Sequence, residues 1–594
     1  MYYASGNYEA FARPEKPKNV DGKSAYLVGS GLGSLAVACF LIRDGQMEGN
    51  RIHILEEQSI AGGACDGIND PQKGFIIRGG REIESHYECL WELFRSIPSL
   101  ENSDLSVLDE FYRLDKNDPN YSLLRVCHER GKEAIPDKSK FNLSDNAAMQ
   151  MIRLYLATEE SLNDTTINDF FDDEFYNSNF WLYFQTMLAF QKWHSALEMK
   201  RYLRRFIHTI YGFADMSVVK FSRYNQYESF IKPILKYLED HGVDFQYDVQ
   251  VTNVVFDITK DKKVAKEIVC IREGQEQKIA VTENDLVFVT NGSCTEASSL
   301  GDNNEAPSLA IKPGEGGCWQ LWKNIANQDP SFGHPEKFCS NLEASHWESA
   351  TVTTLDTRIP KYIEQLAKRD PFSGTIVTGG IITFKDSNWL MSFVVHRQPH
   401  FKEQPKDKVV AWIYGLNCYE EGNFVKKPMN QCTGTEIVQE WLYHMGVPVD
   451  KIVEMAKTGA HCIPCIMPYI TAFFMPRKAG DRPHVVPEGS TNFAFIGQFT
   501  ESKQEDIVFT IEYSVRTAME AVYTLLNIDR GVPEVFASTY DIRVLLDSTS
   551  RLLDGKKLQD IKLPIALPED IDKQLISKLN NTVVLELLHK YNLI

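Results

Sequence analysis

The stretch Gly79-Gly80-Arg81-Glu82 sets a carboxylate directly after two residues that have no side chain. Bare backbone lets a flat ligand approach closely, and a carboxylate beside it can orient water or take a proton from it. The residues that follow, IESHYECLW, read as the first turns of an amphipathic helix. Glu82 is therefore expected at a helix N-terminus, where a carboxylate also gains from the helix dipole. A second stretch, Gly29-Ser30-Gly31-Leu32-Gly33-Ser34, has the glycine spacing that cradles a pyrophosphate, with Ser34 in place of the last glycine. Its glycines allow a tight turn, and the helix after it offers free N–H groups to an anion. A third, His461-Cys462-Ile463-Pro464-Cys465, has Cys-x-x-Cys spacing. Zinc would need two further ligands, and a redox pair would open a helix after a strand, so this motif is read as incidental.

These residues need elements to position them. SAYLV (24–28) reads as a buried strand, the glycine turn follows, LAVACFLIRDG reads as a helix, and RIHIL (51–55) reads as a second strand ending at Glu56. This is a β–turn–α–β unit. Glu56, at the end of its second strand, is placed to accept from a ribose hydroxyl. Two further glycine pairs, 62–63 and 79–80, suggest backbone lying along a long flat cofactor, which favours FAD over NAD. DLVFVTNGS (285–293) reads as a strand returning to the nucleotide domain, and FAFIGQF near residue 493 as a last one. The segment 142–241 reads as mostly helical and aromatic-rich, and the last 60 or so residues as helices around a Pro-rich link.

The expected fold is α/β: a Rossmann-type FAD domain assembled from residues 1–100, 242–300 and 480–530, a mixed α+β substrate domain from 101–241 and 301–479, and a C-terminal helical region over 531–594. At 594 residues the chain is too long for one core. A formal net charge of −18 argues against nucleic acid as the main partner. The start, MYYASGNYEAFARPEKPKNV, has no apolar run behind a basic one, so no secretory signal is expected. No apolar run reaches the roughly 20 residues of a membrane span. Twelve cysteines scattered through apolar runs read as reduced thiols of a cytoplasmic protein.

Longer words in the chain carry a resemblance. SGLGSLAVACFLIRDGQM, RGGREIESHYECLWELFRSIPSL, YNQYES, RQPHF and EYSVRTAMEAVYTLLNIDRG are similar to the oleate hydratases, the bacterial fatty acid hydratases also called myosin-cross-reactive antigens, over essentially the whole chain. The resemblance implies an FAD-binding hydro-lyase that adds water to the cis-9 double bond of oleic acid, giving a 10-hydroxy acid without net redox change, generally as a homodimer. It puts the catalytic glutamate on Glu82 and the catalytic tyrosine on Tyr202. It puts the substrate carboxylate on Gln226 and on the segment Val394-Val395-His396-Arg397-Gln398-Pro399-His400, through His396 and His400. Val394 and His396 stand where the family has Thr and Asn. Residues expected against the cofactor are Gly29, Gly31, Gly33, Glu56, Gly63, Ala64, Gly80, Arg81, Glu82, Val251, Ser293, Thr510 and Ser514. The nucleotide site alone fits a flavin-dependent lipid oxidase or desaturase equally well. No metal is expected.

The last segment, IDKQLISKLNNTVVLELLHKYNLI, repeats apolar residues every four positions at Ile571, Leu575, Leu579, Val583 and Leu587. It is expected to form one weakly basic amphipathic helix over 571–594, either lying on an anionic membrane surface without spanning it or docked in the core or a dimer interface.

Overall fold

The computed structural model describes residues 14–561 and 578–594, apart from Asp66, Arg81, Pro136 and Lys138. Strand β1 (Ala25–Val28) enters the glycine turn, helix α1 (Leu32–Arg43) leaves it, and β2 (Ile52–Leu55) returns parallel to β1 with Ala25 opposite Ile52. α1 is apolar on almost every side because it is covered on both: its residues from Leu32 to Leu41 are buried.

The segment after Glu82 departs from the sequence expectation. It is not helical until Glu88–Phe94. Ile83 instead pairs with Lys220 through two backbone hydrogen bonds, of 3.1 and 2.8 Å. A residue pinned edge to edge against another extended segment cannot take helical dihedrals. Glu82 therefore gains nothing from a helix dipole.

The aromatic-rich stretch breaks into short helices, among them Asn179–Leu188 and α2 (Ala196–Arg205), capped by Ser178 and Ser195. Strand β3 (Asp244–Gln246) then adds to the edge of β2, a three-stranded antiparallel meander follows over 249–280, and β4 (Leu286–Thr290) pairs parallel with β1. A second, eight-stranded and mostly antiparallel sheet has β5 (Trp347–Thr354), β6 (Val410–Gly415) and β7 (Ala460–Met467) at its heart, in the order β7-β5-β6. Strand β8 (Phe493–Ile496) returns to the first sheet, which reads β8-β4-β1-β2-β3, all parallel. Helix α3 (Ile511–Leu525) follows and packs on α1.

Side chains alternate faces along a strand, so Cys462 and Cys465, three apart on β7, point to opposite sides. Cys462 joins the core with Val352 and Ala411, and Cys465 the core with Trp347 and Met467. They cannot bind one metal or form one disulfide without breaking the strand.

On β5, Glu348 shares the face of Ala350 and Val352, is fully buried, and neither carboxylate oxygen has a hydrogen-bond partner. Burial pushes its carboxyl well above the ordinary range. A group raised in the folded state contributes stability at low pH that is lost as pH climbs above the unfolded carboxyl value. Glu348→Met is therefore expected to stabilise the protein by about 1–3 kcal/mol, more at pH 8 than at pH 5. Melting curves at the two values check it, and an equal or lower Tm at pH 8 would refute it.

At the C-terminus, α4 (Ile542–Leu552) lies on Ile207–Gly212, where Ser548 Oγ donates to the Ile207 carbonyl at 2.6 Å. The single helix expected over 571–594 is not what forms. Residues 571–577 lie outside the described residues, and α5 covers only Val583–Lys590. Asn581 adopts φ 62° and Thr582 caps α5, a local stop-and-restart encoded by Asn-Asn-Thr. Leu588 and Leu593 are buried against Ala148 and Leu553, while Val583 is 67% and Val584 37% exposed. Among the described residues no helix is long and apolar enough to cross a membrane.

Candidate active site

The nucleotide cradle rests on glycines at two positions where a side chain would be strained. Gly29 sits at φ 89°, a value that L residues avoid. Gly63 lies at φ 57° with its missing Cβ only 2.9 Å from the Gly31 Cα, so two glycine turns pass back to back. α1 starts at Gly31 with no side-chain cap, leaving its first N–H groups open to an anion. Gly33 packs against the Ser514 carbonyl, fixing the crossing of α1 and α3. Glu56 stands at the end of β2 facing this turn, accepting from Ser30 N at 2.7 Å and Ser30 Oγ at 2.5 Å.

The other expected contacts gather around the same strand ends. Ala64 follows Gly63, and Val251 is buried on the strand whose first residue, Val249, donates to the Glu56 carbonyl at 2.9 Å. Ser293 follows β4, its Oγ 3.3 Å from Thr295 Oγ1. Thr510 caps α3, and Ser514 Oγ accepts from Gln498 Nε2 at 2.8 Å. Arg81 lies outside the described residues. Positive-φ glycines, an uncapped helix start and a carboxylate at the next strand end suit a dinucleotide such as FAD.

Beyond the cradle opens a cavity with about 990 Å³ of atom-free space. Gly79, Gly80, Glu82, Tyr202, Val394 and His396 all line it. Leu188, Val218, Val219, Phe221 and Ile381 make it apolar. At Gly80 an added Cβ would come into contact with Trp412 at 3.4 Å and lie 3.9 Å from His396 Nε2. Trp347, Trp412 and Tyr414 form an aromatic wall, with ring centroids 4.8–5.9 Å apart.

Glu82 shows part of its surface to this cavity but is walled by protein. Burial pushes its carboxyl up to about 8, a rise that the nearby Arg125 charge limits. Tyr202 is fully buried on α2, boxed edge-on by Phe190, Phe206 and Phe474. Its hydroxyl donates to the Val508 carbonyl at 2.6 Å. Burial, then the neighbouring Tyr87 and Glu198, raises its pKa well above the ordinary phenol value, so it keeps its proton at any working pH.

The two histidines stack at 4.5 Å, and both are buried. Burial lowers His396 to about 3, and burial holds His400 well below the ordinary imidazole value, so both rings are neutral. Asn225 N donates to the His400 carbonyl at 2.9 Å, which sets Gln226 beside this segment. His396 Nε2, both His400 ring nitrogens and Gln226 Oε1 are buried without hydrogen-bond partners. Orphaned polar atoms in one place are costly and point to an absent polar ligand. His400 and Gln226 are not among the residues lining the cavity, while His396, on which His400 stacks, lines it.

Glu84, His86 and His208 bring metal-capable atoms within 4.8 Å of one another. Both ring nitrogens of His208 are already engaged, with Glu84 Oε1 at 3.2 Å and Ser538 Oγ at 3.1 Å. Phe536 stacks on His86 at 3.6 Å. The cluster joins the segment after Glu82, the chain after α2 and the start of the C-terminal region.

Sequence reasoning missed Arg125, Tyr414 and the aromatic pair Trp347 and Trp412. Arg125 left one signal: a lone cation inside the apolar run LLRVC.

A parallel sheet with an uncapped glycine turn and a strand-end carboxylate, next to a separate apolar cavity, defines a Rossmann-type α/β protein with a second, mostly antiparallel sheet. The chain belongs to the MCRA family, whose model matches residues 22–523. It is 53% identical over the full length of both chains to an oleate hydratase of Streptococcus pyogenes serotype M49 (strain NZ131). It is 30% identical to a linoleate hydratase of Lactiplantibacillus plantarum, over 89% of this chain and 98% of that one. Among solved structures, cyclohexylamine oxidase from Brevibacterium oxydans IH-35A is similar with a TM-score of 0.49 at 14% identity, covering 85% of this chain and 99% of that chain.

Proposed function

We propose that this protein is a fatty acid hydratase, a hydro-lyase that adds water to the cis-9 double bond of oleic acid and similar unsaturated fatty acids to give 10-hydroxy acids. The observation that carries the reading is one apolar cavity lined both by Tyr202, which keeps its proton, and by Glu82, a carboxylate able to take one. An isolated alkene needs a proton on one carbon and the oxygen of water on the other. Tyr202 supplies the first. Glu82, when ionised, orients the water and accepts its proton. A phenol is a weak acid for this task, so charge developing on carbon must be stabilised. The Glu82 carboxylate and the faces of Trp347, Trp412 and Tyr414 are the groups at hand.

Val394, lining the cavity, extends the apolar path, and the orphaned His396, His400 and Gln226 suit a substrate carboxylate. Two neutral imidazoles can each donate one hydrogen bond, which replaces what Thr and Asn would supply at Val394 and His396. The cradle would hold FAD through Gly29, Gly31, Gly33, Gly63 and Glu56. Bound there, a flavin would supply a flat, polarisable face beside Gly80 and Glu82, with no net electron transfer in the reaction. The test incubates FAD-loaded protein with oleate and weighs the product. Gain of one water is expected; loss of two hydrogens would mean a desaturase and end this reading.

A fatty acid concentrates in bilayers, and the proposal includes attachment to anionic membrane through the exposed side of the C-terminal segment, in a homodimer. Val583→Asp with Val584→Asp leaves the buried Leu588 and Leu593 in place. The double variant is expected to float with anionic vesicles several-fold less than wild type. Equal flotation would exclude this surface.

A further inference from the structure

Arg125 is 1% exposed, and its guanidinium is held on three sides: Nη2 donates to Thr186 Oγ1 at 2.7 Å, and Nη1 to Thr383 Oγ1 at 2.9 Å and to the Ile381 carbonyl at 3.4 Å. Its Nε has no partner, and its carbon sits 5.6 Å from the Tyr183 ring centroid. Two of the residues that hold it, Thr186 and Ile381, line the cavity, as does Tyr414, whose hydroxyl donates to the Thr186 carbonyl. A buried guanidinium ordinarily sits on a carboxylate. Among the described residues none comes within ion-pair distance of Arg125, and Glu82 is the one carboxylate whose charge acts on it. The relation is mutual, because Arg125 is the one described cation acting on Glu82.

We propose that Arg125 is the positioning cation of this site: fixed by Thr186, Ile381 and Thr383, its guanidinium holds Glu82 in the carboxylate form that activates water. The role rests on Glu82 being the base. Arg125 hydrogen-bonds only to protein groups, and its effect passes through the field it lays on the neighbouring carboxylate. The other titratable groups facing the cavity do not change charge in the same range. Tyr87, Tyr202 and Tyr414 are pushed above the phenol value by burial, and His396 is held neutral. Burial opposes ionisation of Glu84, but its hydrogen bond to His208 and the Arg205 charge outweigh it and keep it ionised.

The test follows oleate hydration by FAD-loaded protein against pH. Wild type should rise about tenfold per pH unit and level off near the Glu82 value of about 8. Arg125→Gln should move this limb up by about one unit. That is a loss of about tenfold well below the limb and less than about twofold above it. Arg125→Lys should restore most of the wild-type limb. Thr186→Val is isosteric, releases Nη2, and should move the limb in the same direction by less. A loss equal at all pH values with the limb unmoved would make Arg125 merely structural and overturn the proposal. If the glutamine variant does not fold, an unmoved limb in Thr186→Val does the same. The carbonyl stretch of protonated Glu82, identified by its absence in Glu82→Gln, titrates independently of turnover. It should shift with Arg125→Gln even if oleate proves not to be the substrate, so failure of the activity reading and failure of this proposal are told apart.

Discussion

Glu82→Gln is expected to lower hydration by about 100-fold to 10,000-fold, as loss of a general base does. Glutamine fills the same volume, so the cavity keeps its shape, but it cannot accept a proton or carry the charge that offsets a cation-like carbon. Stability should move the other way. The folded-state carboxyl is raised to about 8 by burial, so the native protein loses stability as pH rises from the unfolded carboxyl value toward 8. Glutamine removes that loss. A Tm equal to or above wild type at pH 8, together with collapsed turnover, separates a chemical role from a structural one. Turnover within about threefold of wild type would sink the assignment.

Tyr202→Phe is expected to cost about 100-fold or more in turnover while FAD binding survives. The ring contacts with Phe190, Phe206 and Phe474 remain in place. What is lost is one proton donor, and the Val508 carbonyl is left without its 2.6 Å partner. That orphaned acceptor costs about 1–3 kcal/mol, enough to lower Tm modestly without unfolding so large a protein. Because Tyr202 stays protonated throughout, it should add no acid limb of its own. The pH profile should report Glu82 alone. Near-normal turnover in Tyr202→Phe would send the search for the proton donor elsewhere.

Much of the nucleotide unit was legible because its constraints are local. A buried strand, a turn that needs glycine at φ 89° and an all-apolar helix are properties of neighbouring residues, and they appear in the letters of 24–56. The course of 82–87, a bridge at Ile83 and then a turn at Ser85-His86, was not legible. Its residues suit a helix, but the partner that holds Ile83 extended is Lys220, far along the chain. The C-terminal segment misled for the opposite reason. Its fourfold periodicity is real, yet Asn580-Asn581-Thr582 carries a local stop that a stripe of apolar positions hides.

The sequence by itself determined the parallel nucleotide sheet, the family and the two residues proposed for the chemistry. These rest on short-range turn chemistry, hydrophobic period and long shared words. Only the tertiary structure decided the electrostatic environment of those residues. A carboxyl value near 8 at Glu82, the proton kept at Tyr202 and the neutral pair His396 and His400 all arise chiefly from desolvation by chain that is distant in sequence. Arg125 is the sharpest case. Nothing near it in the chain says which charge it faces, because burial and Coulomb energy depend on distance in space and are indifferent to distance along the backbone.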